Sequence, residues 1–146
     1  MPASVYALVF GSVLIALTVL IHILGLIAIT RMATALGRRF KLLRQHHRVG
    51  LMIGIVFGLF AVATLEIWLW ALIYLVLGTA PTFEAALYLS TITYSTVGYG
   101  DVVPAHSWRL LAALEGVTGF LMIGWSTAFL VTAGTKFGPF RSGEHF

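Results

Sequence analysis

No cysteine occurs among the 146 residues, which excludes both a disulfide framework and a thiolate metal site. Charge is scarce too. Asp, Glu, Lys and Arg make up 10% of the chain against 60% hydrophobic residues, and a soluble domain of this length carries far more charge. The composition is that of a membrane protein. Internal repeats, low-complexity tracts and Pro- or Ser-rich linkers are also missing, so a single membrane domain is expected. Neither a nucleophile–base pair nor a metal-ligand cluster stands out, so the chain does not read as an enzyme and no cofactor is expected. A net charge of +4 would suggest nucleic acid as the partner of a soluble protein. Here its placement matters more than its size, and membrane lipid is the expected partner.

Three apolar runs are long enough to cross a bilayer. Val5–Thr30 is uncharged and would span about 39 Å as a helix, against a hydrocarbon core of about 30 Å. Val49–Gly78 is interrupted only by Glu66, and Leu110–Thr135 only by Glu115. The first run is read as a span rather than a cleaved leader, because Met1–Tyr6 carries no Lys or Arg and the run is too long. Six of the nine Lys and Arg residues (Arg31, Arg38, Arg39, Lys41, Arg44 and Arg48) lie between the first two runs. Lys136 and Arg141 follow the third. Three helices put these two regions on one side, so the positive-inside rule predicts a cytoplasmic C-terminus and an outside N-terminus. Within Arg31–Arg48, Met32, Leu36, Phe40 and Leu43 form a weak helical stripe broken by Gly37. It is compatible with an interfacial helix or with a solvated basic loop against anionic lipid.

Ionisable residues inside the spans are expensive and usually functional. Glu115, on the third helix, is expected to point about 120° away from a pore-facing Thr127. That places it behind the pore, with Thr91, Thr93 and Ser95 as available hydroxyls. Glu66 stands beside Trp68 and Trp70, read as an outer aromatic belt; it either snorkels to that interface or braces the pore. His22 lies about 14 Å from the inner end of the first run, a depth about 12 Å from that of Glu66, so a direct pair is not expected. His46 and His47 are read as solvated.

Between the second and third spans lies Thr82–Pro104. Thr82 is an N-cap candidate with Glu84 in the first turn, and "FEAALYLSTITY" then runs twelve residues without a breaker. A helix of that length spans about 18 Å, so it should enter the membrane from outside and return to the same side, aiming a negative C-terminal end inward. After it comes "TVGYG". Irregular backbone at membrane depth is tolerated only when buried in protein or lining a watery path. Glycines at alternate positions permit unusual backbone angles and let successive carbonyls point one way. One such strand cannot surround an ion, but four around an axis can.

At these residues the chain resembles the potassium channels. Thr96-Val97-Gly98-Tyr99-Gly100-Asp101 is similar to their selectivity filter, "ALYLSTITYS" to their pore helix, and Gly119, Gly124, Thr127 and Ala128 to the inner helix of the small bacterial members. The likeness covers about residues 50–135. It implies an all-α integral membrane fold: three transmembrane helices, a re-entrant pore helix and a filter strand per chain, four chains around a central pore. Residues 1–48 would be an extra N-terminal helix with its basic connection, 49–135 the pore module, and 136–146 a short tail. Carbonyl-ring selectivity is an established property of that filter and follows here from the resemblance alone. On that basis the carbonyls of Thr96, Val97, Gly98 and Tyr99 bind K+, Gly98 and Gly100 supply the backbone angles, Tyr99 braces the filter, and Asp101 sits at the outer mouth. Gly119, Ile123 and Thr127 are pore-lining or gating candidates, with Gly119 either a hinge or a close-packing residue. Where some bacterial channels carry a pore-helix glutamate, this chain has Ile92. Tyr88 could bond Asp101 instead, and Tyr88, Glu66 and Glu115 are the filter-support candidates. The expected function is passive, selective K+ conduction by a homotetramer in a prokaryotic plasma membrane. The alternatives are a less selective cation channel and a non-conducting regulatory subunit. The first run has no repeated arginines, so no voltage sensor is expected.

Overall fold

A computed structural model describes residues 3–39 and 45–138. The described residues form α1 (Ala3–Arg39), α2 (Gln45–Val76), the short α3 (Phe83–Tyr94) and α4 (Arg109–Phe137), with a single 3-10 turn at His106–Trp108 before α4. The protein is an all-α, multi-pass membrane protein. Its three long helices are apolar and long enough to cross a bilayer, and α3 is the short re-entrant element.

Helix α1 does not end at Thr30. It continues through Arg31–Arg39, so the basic stretch begins as an extension of the first span. The remainder of the predicted stripe, Phe40 and Leu43, and the cations Lys41, Arg44 and Arg141 lie outside the described residues. Arg48 Nη1 donates to the Gly138 carbonyl at 3.2 Å, which brings the start of α2 and the end of α4 together at the basic end. His46 is exposed and His47 half-buried, with ring centroids 4.2 Å apart.

Helices α1 and α2 pack antiparallel in a regular register. Ile29 meets Gly58, Gly25 meets Val62, His22 meets Glu66 and Thr18 meets Trp70. Each turn up α2 is matched by a turn down α1. At Gly58 a Cβ would sit 3.0 Å from Ile29 Cγ1, and a Cβ at Gly25 would run into Val62. The two glycines therefore permit the close approach that holds helices together in lipid. The buried stripe on α1, running through Ala7, Leu14, Thr18, His22, Leu26, Ile29 and Ala33, follows the 3–4 spacing of a helix face.

Helix α2 ends in a Schellman turn. Gly78 has φ +64°, its N–H donates to Leu75 O, and Thr79 N–H donates to Tyr74 O. Helix α3 then starts as the sequence predicts: Thr82 Oγ1 accepts from Ala85 N at 3.2 Å, with Glu84 in the first turn. The interior is layered. One apolar cluster holds Leu14, Trp70, Tyr74, Leu89 and Leu111; the other, toward the basic end, holds Ile29, Ala33, Leu51, Ile55 and Ala133. Between them in chain position on every long helix come buried polar groups: Thr18 and His22 on α1, Glu66 on α2, Glu115 and Thr118 on α4.

Candidate ion-conduction site

Helix α3 buries Ala86, Ser90 and Tyr94, residues four apart and so on one face. Each of the last two meets an acid from a spanning helix. Ser90 Oγ lies 2.6 Å from Glu115 Oε1 and 2.9 Å from the Ile67 carbonyl, and the Tyr74 hydroxyl donates to Glu115 Oε2. The Tyr94 hydroxyl donates to Glu66 Oε2, while His22 Nδ1 lies 3.0 Å from Glu66 Oε1. Both carboxyl groups are fully buried with both oxygens engaged, the condition under which such a group is tolerated in a low-dielectric interior. Two acids thus hold the pore helix at consecutive turns, one from α2 and one from α4.

Several sequence-based expectations change here. Glu115 does lie behind the pore loop, but its partners are Ser90 and Tyr74. The Thr91 and Ser95 hydroxyls instead donate to carbonyls of α3 itself, Leu87 O and Thr91 O. Glu66 does not snorkel. Trp70 is no belt residue either: it is fully buried and its Nε1 donates to Thr18 Oγ1 at 3.0 Å, whereas Trp68 is exposed and packs edge-on against Phe83. His22 and Glu66 are a direct pair, against the depth argument. Depth counted from Thr30 and Val49 sets the two residues apart because neither position is a helix end. The helices begin and end at Arg39 and Gln45, which puts His22 about 26 Å and Glu66 about 32 Å from their shared end, and helix tilt covers the rest. Tyr94, Tyr74 and Ser90 were not anticipated as support residues. The only sequence signal for two of them was the Ala86-Ser90-Tyr94 spacing.

Beyond α3 the chain folds back on the helix end. Thr96 N–H donates to Thr93 O at 3.0 Å, and Gly98 N–H to Ile92 O at 2.9 Å. Thr96, Gly98 and Gly100 have φ of +61°, +52° and +79°. Val97 and Tyr99 between them do not have positive φ. A strand normally turns alternate carbonyls to opposite sides, and reversing the backbone hand at every second residue can bring them to one side. The two glycines adopt these angles freely. Thr96 does not, because a β-branched residue at positive φ is strained, a conformation that residue type alone does not announce. Thr96–Asp101 is exposed on its own chain, with Val97 54% and Tyr99 76% accessible. Space around Gly98 and Gly100 is open, so the angle alone demands glycine there.

After this segment the Tyr88 hydroxyl donates to Asp101 Oδ2 at 2.7 Å, the bond suggested as a substitute for an acid at the Ile92 position. Gly119 is buried, and a Cβ there would strike the Tyr94 carbonyl oxygen. Of the two roles open to it, close packing is the one this geometry describes. Ile123 and Thr127, farther along α4, are exposed on the chain, and Thr127 Oγ1 donates to Ile123 O.

A re-entrant helix clamped by two spanning helices, followed by an exposed non-helical segment of alternating backbone hand, defines a pore-loop membrane protein. The sequence model of a family described as ion channel matches residues 60–136, just over half of the chain, and the chain belongs to that family. No solved structure matches it. The matched segment starts within α2, so α1 lies wholly outside it.

Proposed function

We propose that this ion channel conducts K+ selectively and passively as a homotetramer, with Thr96–Gly100 as the filter. The observation that carries the reading is the run of left-handed backbone at Thr96, Gly98 and Gly100 in a segment its own chain leaves exposed. Four such strands around an axis supply stacked carbonyl rings from Thr96, Val97, Gly98 and Tyr99 that replace the hydration shell of a monovalent cation. A closed ring of identical subunits meets that need with one strand per chain. Asp101 gathers cations at the outer mouth, while Ile123 and Thr127 line the path below the filter. The basic end of the helices faces the cytoplasm of a prokaryotic cell, with the protein in the plasma membrane.

The test is flux through the purified full-length protein in liposomes. K+ uptake with little Na+ uptake is expected, abolished in Gly98→Ala, which places a side chain on a left-handed backbone. Comparable Na+ and K+ flux would indicate a less selective cation channel. An assembled but silent protein would indicate a regulatory subunit.

A further inference from the structure

Helix α1 lies outside the matched ion channel segment, yet one of its side chains is two hydrogen bonds away from Tyr94, which ends the pore helix just before the proposed filter. His22 is 1% exposed and its Nδ1 meets Glu66 Oε1 at 3.0 Å. The other Glu66 oxygen accepts from the Tyr94 hydroxyl. Tyr94 is the last residue of α3, and two residues on stands Thr96 with its strained φ of +61°.

Strain of that kind persists only where the surroundings enforce it. The enforcing contacts converge on Tyr94 and its neighbours. The Tyr94 backbone rests against Gly119 of α4 with no room for a Cβ between them. Thr96 N–H and Gly98 N–H are tied to Thr93 O and Ile92 O. Among the described residues, the hydrogen bond at the far end of the Tyr94 ring is the one to Glu66. A carboxyl group bonded on one oxygen alone is free to swing about its last torsion. With His22 on the other oxygen it is held at both.

Packing does not require a histidine at this place. The stripe above and below it is closed by Thr18 against Trp70 and by Gly25 against Val62, and leucine would fill the same lipid-shielded volume. Instead His22 is buried, its Nε2 has no hydrogen-bond partner among the described residues, and its ring is tilted against Trp125 at 5.3 Å. The residue carries an unpaired polar atom into the interior in order to set Nδ1 against Glu66. Such an arrangement marks a group kept for its bond and not for its shape.

We propose that His22 is a positioning residue for the filter: by fixing Glu66 it holds the Tyr94 hydroxyl, and it makes α1 part of the frame that sets filter geometry. This rests on the reading of Thr96–Gly100 as a K+ filter, so the experiment first measures the parent. Reversal potentials under opposed K+ and Na+ are recorded for full-length protein in planar bilayers, with assembly followed by mass. A parent without K+ preference overturns the filter reading and this inference with it.

Given a selective parent, two polar replacements separate the role of the Nδ1 bond from mere occupancy. His22→Asn places an amide where Nδ1 stands; His22→Gln places it at the depth of Nε2. The K+/Na+ permeability ratio of His22→Asn should stay within about twofold of the parent, while His22→Gln and Tyr94→Phe lower it by about tenfold, the size of coupling usual within one hydrogen-bond network. Combined with Tyr94→Phe, His22→Gln should add nothing, because the path from His22 to the filter runs through that hydroxyl. Equal ratios for the Asn and Gln variants overturn the proposal. So does an undiminished effect of His22→Gln in the Tyr94→Phe background, and so does a His22→Gln protein that fails to assemble where His22→Asn assembles, which would make His22 a folding residue.

Discussion

Asp101, in the proposed outer mouth, shows how one neighbour sets the behaviour of a side chain. The Tyr88 hydroxyl, donating at 2.7 Å, chiefly holds its carboxyl below the ordinary aspartate range; desolvation opposes this, and the Asp101 and Val102 backbone amides reinforce the lowering. A lowered pKa in the folded state means that the contact contributes stability above the ordinary value of about 3.9 and loses it only as pH falls through the lowered value. External acidification to about pH 5 should therefore leave the Asp101 contact intact, and Tyr88→Phe should move the acid midpoint of conduction upward. Currents recorded against external pH check this, and superimposable profiles for parent and variant would remove Tyr88 from the outer support. Gly119 acts by having no side chain. In Gly119→Ala the new methyl meets the Tyr94 backbone, which cannot swing aside as a flexible side chain could. Overpacking of that kind costs about 1–3 kcal/mol. A lower thermal midpoint and loss of conduction are expected. Unaltered conduction would show that the α3–α4 contact yields.

The pore helix is held as a unit by its two acids. Ser90→Ala leaves Glu115 Oε1 without its α3 partner in a buried site, a loss of about 1–3 kcal/mol. Glu115→Gln keeps the shape and one donor–acceptor pair, so it should cost less. Thermal unfolding of the two variants in detergent decides the order, and the reverse order would mean that the charge at Glu115 matters more than the bond to α3. The α1–α2 hairpin offers a cleaner test, because the chain has no cysteine of its own. In the register seen here Ile29 lies against Gly58, whereas nothing lies within 4 Å of a Cβ at Gly54, one turn away. The pair Ile29→Cys with Gly58→Cys should therefore oxidise to an intramolecular disulfide, and Ile29→Cys with Gly54→Cys should not. Peptide masses before and after reduction distinguish them, and cross-linking of the second pair alone would place α1 in another register.

For the whole molecule the governing fact is the exposed segment Thr96–Asp101 on a chain that buries its two intramembrane acids with both carboxyl oxygens engaged. Tyr99, at 76% exposure, has no place to rest within its own chain. In the proposed tetramer neighbouring copies cover this surface. Native mass measurement in detergent or nanodiscs should give a tetramer as the main species. A monomer or trimer that conducts K+ would overturn the four-strand ring.

Much of this was legible in the sequence. Three long apolar runs, two of them broken only by a single acid, read as spans because length and apolarity are local properties, and the Thr82 cap with its breaker-free dodecamer placed α3 to the residue. Alternate glycines announced Gly98 and Gly100, because only their backbone tolerates such angles at no cost. The tertiary structure alone decided the partners. Both faces of α1 are apolar, one toward lipid and one toward protein, so hydrophobicity could not reveal which face is buried or that His22 lies on it. The end of α1 was masked because Arg31–Arg39 is helical without being apolar, and that error in length carried the depth of His22 away from Glu66. Ser90, Tyr74 and Tyr94 are ordinary residues in sequence. They became the clamp only when helix register set them against two buried acids, and hydrogen bonds across helices depend on that register and not on composition.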